Sequence, residues 1–179
     1  MENDNVVYTG VKLIIYKKIV PGDFRKFRAE SNDTDSGGGA RDLRFSPAEE
    51  FTGQFKKMFL QQAGGALTGR FHWKGLPPTD VAVLPATSSR PNEIRIGTVN
   101  RCFPSQILPE NSEDCILLLV LRADDMVYPC FASEHSLEHD NWHPDVSMPI
   151  LNGLRANRRA NTTPMGYIDV ENGKEWANE

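Results

Sequence analysis

The stretch RFHWKGLPPTDVAVLPATSSRPNEIRIGTVN, residues 70–100, decides the architecture. It consists of short apolar runs separated by turn residues. Arg70–Gly75 and Asp80–Ala86 flank a Leu-Pro-Pro sequence that reads as a turn, and Thr87–Asn92 reads as a polar loop carrying Arg90. Asn92–Asn100 then alternates Ile94 and Ile96 with Glu93 and Arg95, the period of a strand with one solvated face. Further on, CILLLVL (Cys115–Leu121) is the longest apolar run and reads as a buried strand. After an Asp124-Asp125 turn, Met126–Ala132 closes a hairpin. Many short strands with one or two helices predict a mainly β fold, a barrel or sandwich with helices at its ends.

Upstream, residues 6–20 are rich in β-branched and aromatic residues and suit a strand or a short helix on the core. Pro21-Gly22 marks a turn, and Phe24–Ala29 reads as a half-exposed strand with a basic face formed by Arg25, Lys26 and Arg28. Ser31–Ser36 followed by Gly37, Gly38 and Gly39 is a loop by composition, flanked by basic residues on both sides. Ser46-Pro47-Ala48-Glu49 fits a capping box with Pro47 at the first helical position. Phe51, Phe55, Met58 and Phe59 then give one apolar helix face, and Gly64-Gly65 ends the helix.

Length predicts one domain, residues 1–150, with 151–179 as a tail or linker because that segment is short of large apolar residues, with a last docking segment around Tyr167-Ile168 and Trp176. No apolar run approaches the ~20 residues needed to span a bilayer, and the acidic, polar start lacks a signal peptide. Three widely spaced cysteines, Cys102, Cys115 and Cys130, predict reduced thiols and a cytoplasmic location. The net charge of −4 conceals an asymmetry, since residues 5–109 hold 15 Lys and Arg against 9 Asp and Glu. A basic first part is one mark of a face for polyanions.

A nucleophile elbow, a phosphate-binding GxxxxGK[ST], a GxGxxG and a CxxC are all absent. The carboxylates near residues 110–114 have no partner lysine, so no catalytic set is legible. His135, His139 and His143 are four apart and would share a helix face. With Asp140 or Asp145 they offer an alternative reading, a small metal-dependent nuclease or hydrolase. A protein-interaction module is another alternative. The stronger signal is that both polar loops combine arginine with Asn, Asp, Glu, Ser or Thr. Arg pairs with guanine O6/N7, Asn with adenine, and a carboxylate accepts from cytosine N4.

Taken together, Asn32-Asp33-Thr34, Gly38-Gly39, Pro47, Asn92-Glu93 with Arg95, Ile116–Leu121 and Cys130–Ser133 resemble the N-terminal effector domain of EcoRII-type restriction endonucleases. The resemblance covers roughly residues 23–133. It implies a DNA-binding pseudobarrel, an open seven-stranded β-barrel with flanking helices, shared with the plant B-three transcription factors. It also implies that two arms, Lys26–Arg44 and Arg90–Arg101, grip the major groove of double-stranded DNA without chemistry of their own. Asn32, Asp33, Arg41, Arg44, Arg90, Asn92, Glu93 and Arg95 would then face bases. Lys26, Arg28, Ser31, Thr34, Gly38, Gly39 and Arg101 would hold phosphates. No cofactor is expected in this chain, and Mg2+ only in a separate C-terminal nuclease domain.

Overall fold

The computed structural model describes residues 10–28 and 41–179. In chain order it holds β1 (Val11–Lys18), α1 (Pro21–Arg28), β2 (Leu43–Phe45), α2 (Ala48–Met58), β3 (Gln61–Ala63), β4 (Ala66–Trp73), β5 (Leu76–Leu84) and β6 (Ile94–Ile96). It continues with α3 (Val99–Cys102), a 3-10 turn at Ser105–Ile107, β7 (Ile116–Arg122), β8 (Val127–Ala132), α4 (Glu134–His139), α5 (Pro144–Arg155), β9 (Met165–Asp169) and β10 (Lys174–Ala177). The protein is therefore mainly β with helices. Among the described residues no helix is long and apolar enough to cross a membrane. None of the three cysteines forms a disulfide. The chain divides into two compact units: residues 10–20 with Ser112–Glu179, and Pro21–Asn111.

In the first unit the strands run in the order β10-β9-β1-β7-β8, each antiparallel to its neighbour. β7 is buried from Ile116 to Leu121, as its continuous apolar run requires. The β7–β8 hairpin turns at Asp124-Asp125, where Asp125 takes a positive φ of 61°. On one sheet face Ile14, Tyr16, Leu118, Val120 and Ile168 pack against Leu137 of α4 and against Val146, Ile150, Leu151 and Leu154 of α5. The α5 residues recur at helical spacing, which is why this helix buries a stripe.

The segment expected to be a tail is built into this unit. α5 continues past Pro149 to Arg155, and β9 is buried along its whole length. The sequence hid this because its small residues are structural. Gly153 and Gly166 both lie against the Tyr16 ring, and a Cβ on Gly166 would come within 2.7 Å of Tyr16 Cζ. Burial pushes the Tyr16 hydroxyl up to about 12. Two polar side chains fasten the end of the chain. Asn178 Oδ1 accepts from the Met165 amide at 3.0 Å, and its Nδ2 donates to Thr163 O at 2.9 Å. Arg158 donates to Asn178 Oδ1 at 3.0 Å, to Leu154 O at 3.0 Å and to Gly153 O, so it satisfies the last carbonyls of α5. Arg158→Ala is expected to lose about 2 kcal/mol of stability, the size of a charge-assisted hydrogen-bond set, read as a lower urea midpoint at constant slope.

In the second unit the strand order is β3-β4-β5-β6-β2, again antiparallel throughout. Leu43, Phe45, Phe71, Val81, Val83, Ile94 and Ile96 fill its inner face. Phe51 and Phe55 of α2 meet Phe45 edge-on at 5.3 and 5.2 Å, and Phe103 meets Phe71 and Phe27 at 5.2 and 4.9 Å.

Four local expectations change here. Residues 24–28 lie in helix α1, because Phe24 and Phe27 are three apart and both buried, a helical stripe that a strand would split between faces. α2 starts at Ala48 with Pro47 as its N-cap and no side-chain cap bond. Its first amide donates instead to Asn92 O at 3.0 Å. The helix ends at Met58, and Gly64-Gly65, with φ of 57° and 82°, makes the β3–β4 hairpin turn. Finally, Pro77 and Pro78 sit inside β5, and the turn is Lys74-Gly75, where Gly75 supplies a φ of 75°.

Candidate nucleic-acid interface

Strand alternation decides what the second unit shows to solvent. With Leu43, Phe45, Ile94 and Ile96 turned inward, Arg44 and Arg95 turn outward, and they stand opposite each other across β2 and β6. Leu84 of β5 stands opposite Arg95 and continues the same face. The segment leaving the first polar loop and the segment leaving the second are therefore neighbours on one sheet face.

At this meeting point Glu93 lies between two arginines. Arg44 Nε is 3.7 Å from Glu93 Oε2, and Arg90 Nη1 is 3.5 Å from Glu93 Oε1. Two guanidinium groups share one carboxylate, so the cluster carries one net positive charge. The Arg44 side chain is 48% exposed and that of Arg90 34%. The loop bearing Arg90 is held firmly. Thr87 and Arg90 exchange two backbone hydrogen bonds at 3.0 and 3.2 Å, making a tight turn over Ser88-Ser89, and Asn92 O is bonded to the start of α2.

Arg95 has a different setting. Its Nη1 donates to Asp42 Oδ2 at 2.9 Å, with the two side chains only 13% and 4% exposed. Asp42 Oδ1 also accepts the Thr98 amide at 3.1 Å, and Arg41 O accepts the Val99 amide at 2.9 Å. Thr98 itself sits in the left-handed region at φ 49°. Asp42 and Arg95 thus fasten the strand after the first loop to the β6–α3 corner. Sequence reading missed Asp42 and Thr98, which lie 56 positions apart and carry no local pattern.

The other predicted residues have different settings, Asn92 directly preceding Glu93 in the chain. Lys26 Nζ pairs with Asp23 at 3.3 Å. Arg28 donates to the carbonyls of Glu110 and Pro109 at 2.9 and 3.2 Å and stacks over the Phe24 ring at 4.7 Å. Arg41 is half-buried, and Asn92 and Arg101 are exposed. Ser31, Asn32, Asp33, Thr34, Gly38 and Gly39 lie outside the described residues.

Beside the arginine cluster the same unit carries an open groove of about 780 Å3, lined by residues of β4 and β5 and by Thr98, Arg101 and Cys102. Burial pushes the Cys102 thiol up to about 12, so it stays protonated and is no nucleophile at neutral pH.

In the other unit, the His135 and His139 rings lie 4.6 Å apart on α4, while His143 begins α5 and accepts the Asp145 amide at 3.2 Å. Among the described residues no group of three or more His, Cys, Asp or Glu side chains is arranged to hold a metal ion. No family model, curated protein or solved structure matches this chain.

Proposed function

We propose that the outward face of the Pro21–Asn111 unit binds double-stranded DNA in a sequence-specific manner. In this reading the chain is the effector or target-recognition part of a type II restriction endonuclease and performs no chemistry itself. The observation that carries the reading is the shared Glu93. Two stretches that each suit base recognition by residue type meet across β2 and β6, with Arg44 and Arg90 on one carboxylate. Charge agrees with it. Residues 21–111 hold 12 Lys and Arg against 10 Asp and Glu, and the rest of the chain 8 against 14.

Magnitudes decide which arginines are free to read. A solvent-exposed ion pair is worth about 0–1 kcal/mol, while a bidentate Arg–guanine contact discriminates by about 1–3 kcal/mol. Arg44, 48% exposed, exchanges Glu93 for a guanine edge at a net gain; Arg90, 34% exposed with its Nη1 buried, gives up more to do so, and Glu93, 19% exposed, accepts from a cytosine N4 once released. Arg95 does not exchange so readily. Breaking a buried pair by removing one partner costs about 3–5 kcal/mol, so Arg95 serves as the post that holds the reading strands in register. Arg101 and the basic flanks of the first loop supply phosphate contacts, which position without specifying.

Counterion release gives the test. Fluorescence anisotropy of the whole chain on a labelled duplex, titrated with salt, is expected to give a log–log slope of about −3.6 or steeper, from at least four neutralised phosphates. A slope near zero on every duplex tried overturns the proposal.

A further inference from the structure

We propose that the groove on β4 and β5 is a phosphate track for one strand of the duplex, distinct from the base-reading cluster and centred on Arg70. The inference rests on the DNA-binding reading and adds a second contact to it. Cross-strand pairing sets the geometry. Gln61 stands opposite Thr68, Thr68 opposite Ala82, and Arg70 opposite Asp80. Ala82 and Asp80 share the face of Leu84, which stands opposite Arg95, which stands opposite Arg44. Gln61, Thr68, Arg70 and Asp80 thus point from the same sheet face as the reading cluster, and Thr98 and Arg101 line the groove with them.

The chemistry of this lining is that of a donor surface. Two guanidinium groups, three hydroxyls (that of Thr79 already donating to Cys102 O at 2.6 Å) and an amide line a space of about 780 Å3, and the small residues Ala82 and Gly97 leave room for a polymer backbone to approach. The one anionic lining side chain is Asp80. Its carboxylate lies 3.3 Å from Arg70 Nε, with the side chains 64% and 90% exposed. A pair so open to solvent is weak, so a phosphate displaces Asp80 from Arg70. Asp80 limits the strength of that contact by repelling the approaching anion. A free carboxylate near bound phosphates lowers affinity for all sequences alike, so it sets the overall strength of binding and leaves the ranking of sequences to the base contacts.

Three forms of the whole chain test this on duplexes of random and of preferred sequence. Asp80→Asn is expected to tighten binding to every duplex by about 3–10-fold at low salt and to steepen the salt slope by about 1. Arg70→Ala with Arg101→Ala is expected to make the slope shallower by about 2 while the ranking of sequences stays as in the parent. If the parent binds DNA but neither variant changes the slope, the groove is not a phosphate track and the base-reading proposal stands. If the double variant changes the ranking of sequences, the groove reads bases and the division of roles is wrong. If the parent binds no duplex, both proposals fall together.

Discussion

Replacing Arg44 and Arg90 together by glutamate is expected to weaken binding to the preferred duplex at least ~100-fold and to erase discrimination between sequences. In the proposed reading each arginine supplies one bidentate base contact, and each such contact is worth about 1–3 kcal/mol, or at least ~10-fold on average. Charge reversal adds to this, because it places two new carboxylates beside Glu93 and turns a net positive cluster into a strongly negative one facing phosphates. The substitution also costs some stability, because the two new carboxylates stand beside Glu93, which is only 19% exposed. A urea midpoint that still leaves the variant folded under the binding conditions, alongside lost binding, is the expected pair of results. The gentler Arg44→Gln and Arg90→Gln should each lose discrimination at one base position and keep most of the salt slope. Unchanged affinity in the glutamate variant would remove these arginines from the interface.

Asp42→Ala is expected to destabilise the protein by about 3–5 kcal/mol, the cost of leaving a buried charge without its partner. Arg95 would keep its guanidinium in a site where it is 13% exposed, and the Thr98 amide would lose its acceptor. Asp42→Asn retains an oxygen for that amide and should lose less. Asp42→Ala with Arg95→Met removes both charges and should recover a large part of the loss, because a buried ion pair often equals well-packed apolar side chains in net stability. The non-additivity of that cycle measures the pair directly. If Asp42→Ala alone costs under about 1 kcal/mol, the pair is not what holds the two strands, and Arg95 becomes a candidate base reader again.

Where local chemistry decided the structure, the sequence was readable. Ile94 and Ile96 against Glu93 and Arg95 marked β6 and its two faces. The apolar run of β7, the Asp124-Asp125 turn and β8 were placed close to their observed positions. Phe51, Phe55 and Met58 marked the buried side of α2. Long-range pairing decided the rest. β9 is five residues long, and what makes it a buried strand is its register against β1, with Tyr167 opposite Ile15. Gly153 and Gly166 lowered the apparent apolar content of that segment, yet they make the space that Tyr16 fills. Phe24 and Phe27 sit at a spacing that suits a helix, but eight residues with three basic side chains resembled a basic strand. The candidate site was legible in its residue types and not in its division of labour. Nothing near Arg95 in sequence shows that Asp42 holds it, or that Arg44 and Arg90 share Glu93.

The central claim is that this face reads DNA sequence, and selection from a random duplex pool tests it most directly. The whole chain is incubated with the pool at moderate salt, bound duplexes are recovered and amplified through several rounds, and the enriched population is sequenced. The account predicts convergence on one short motif containing G·C pairs, lost when Arg44 and Arg90 are both replaced by glutamine. Recovery of a pool that remains random, or of the same motif with and without those arginines, would contradict it.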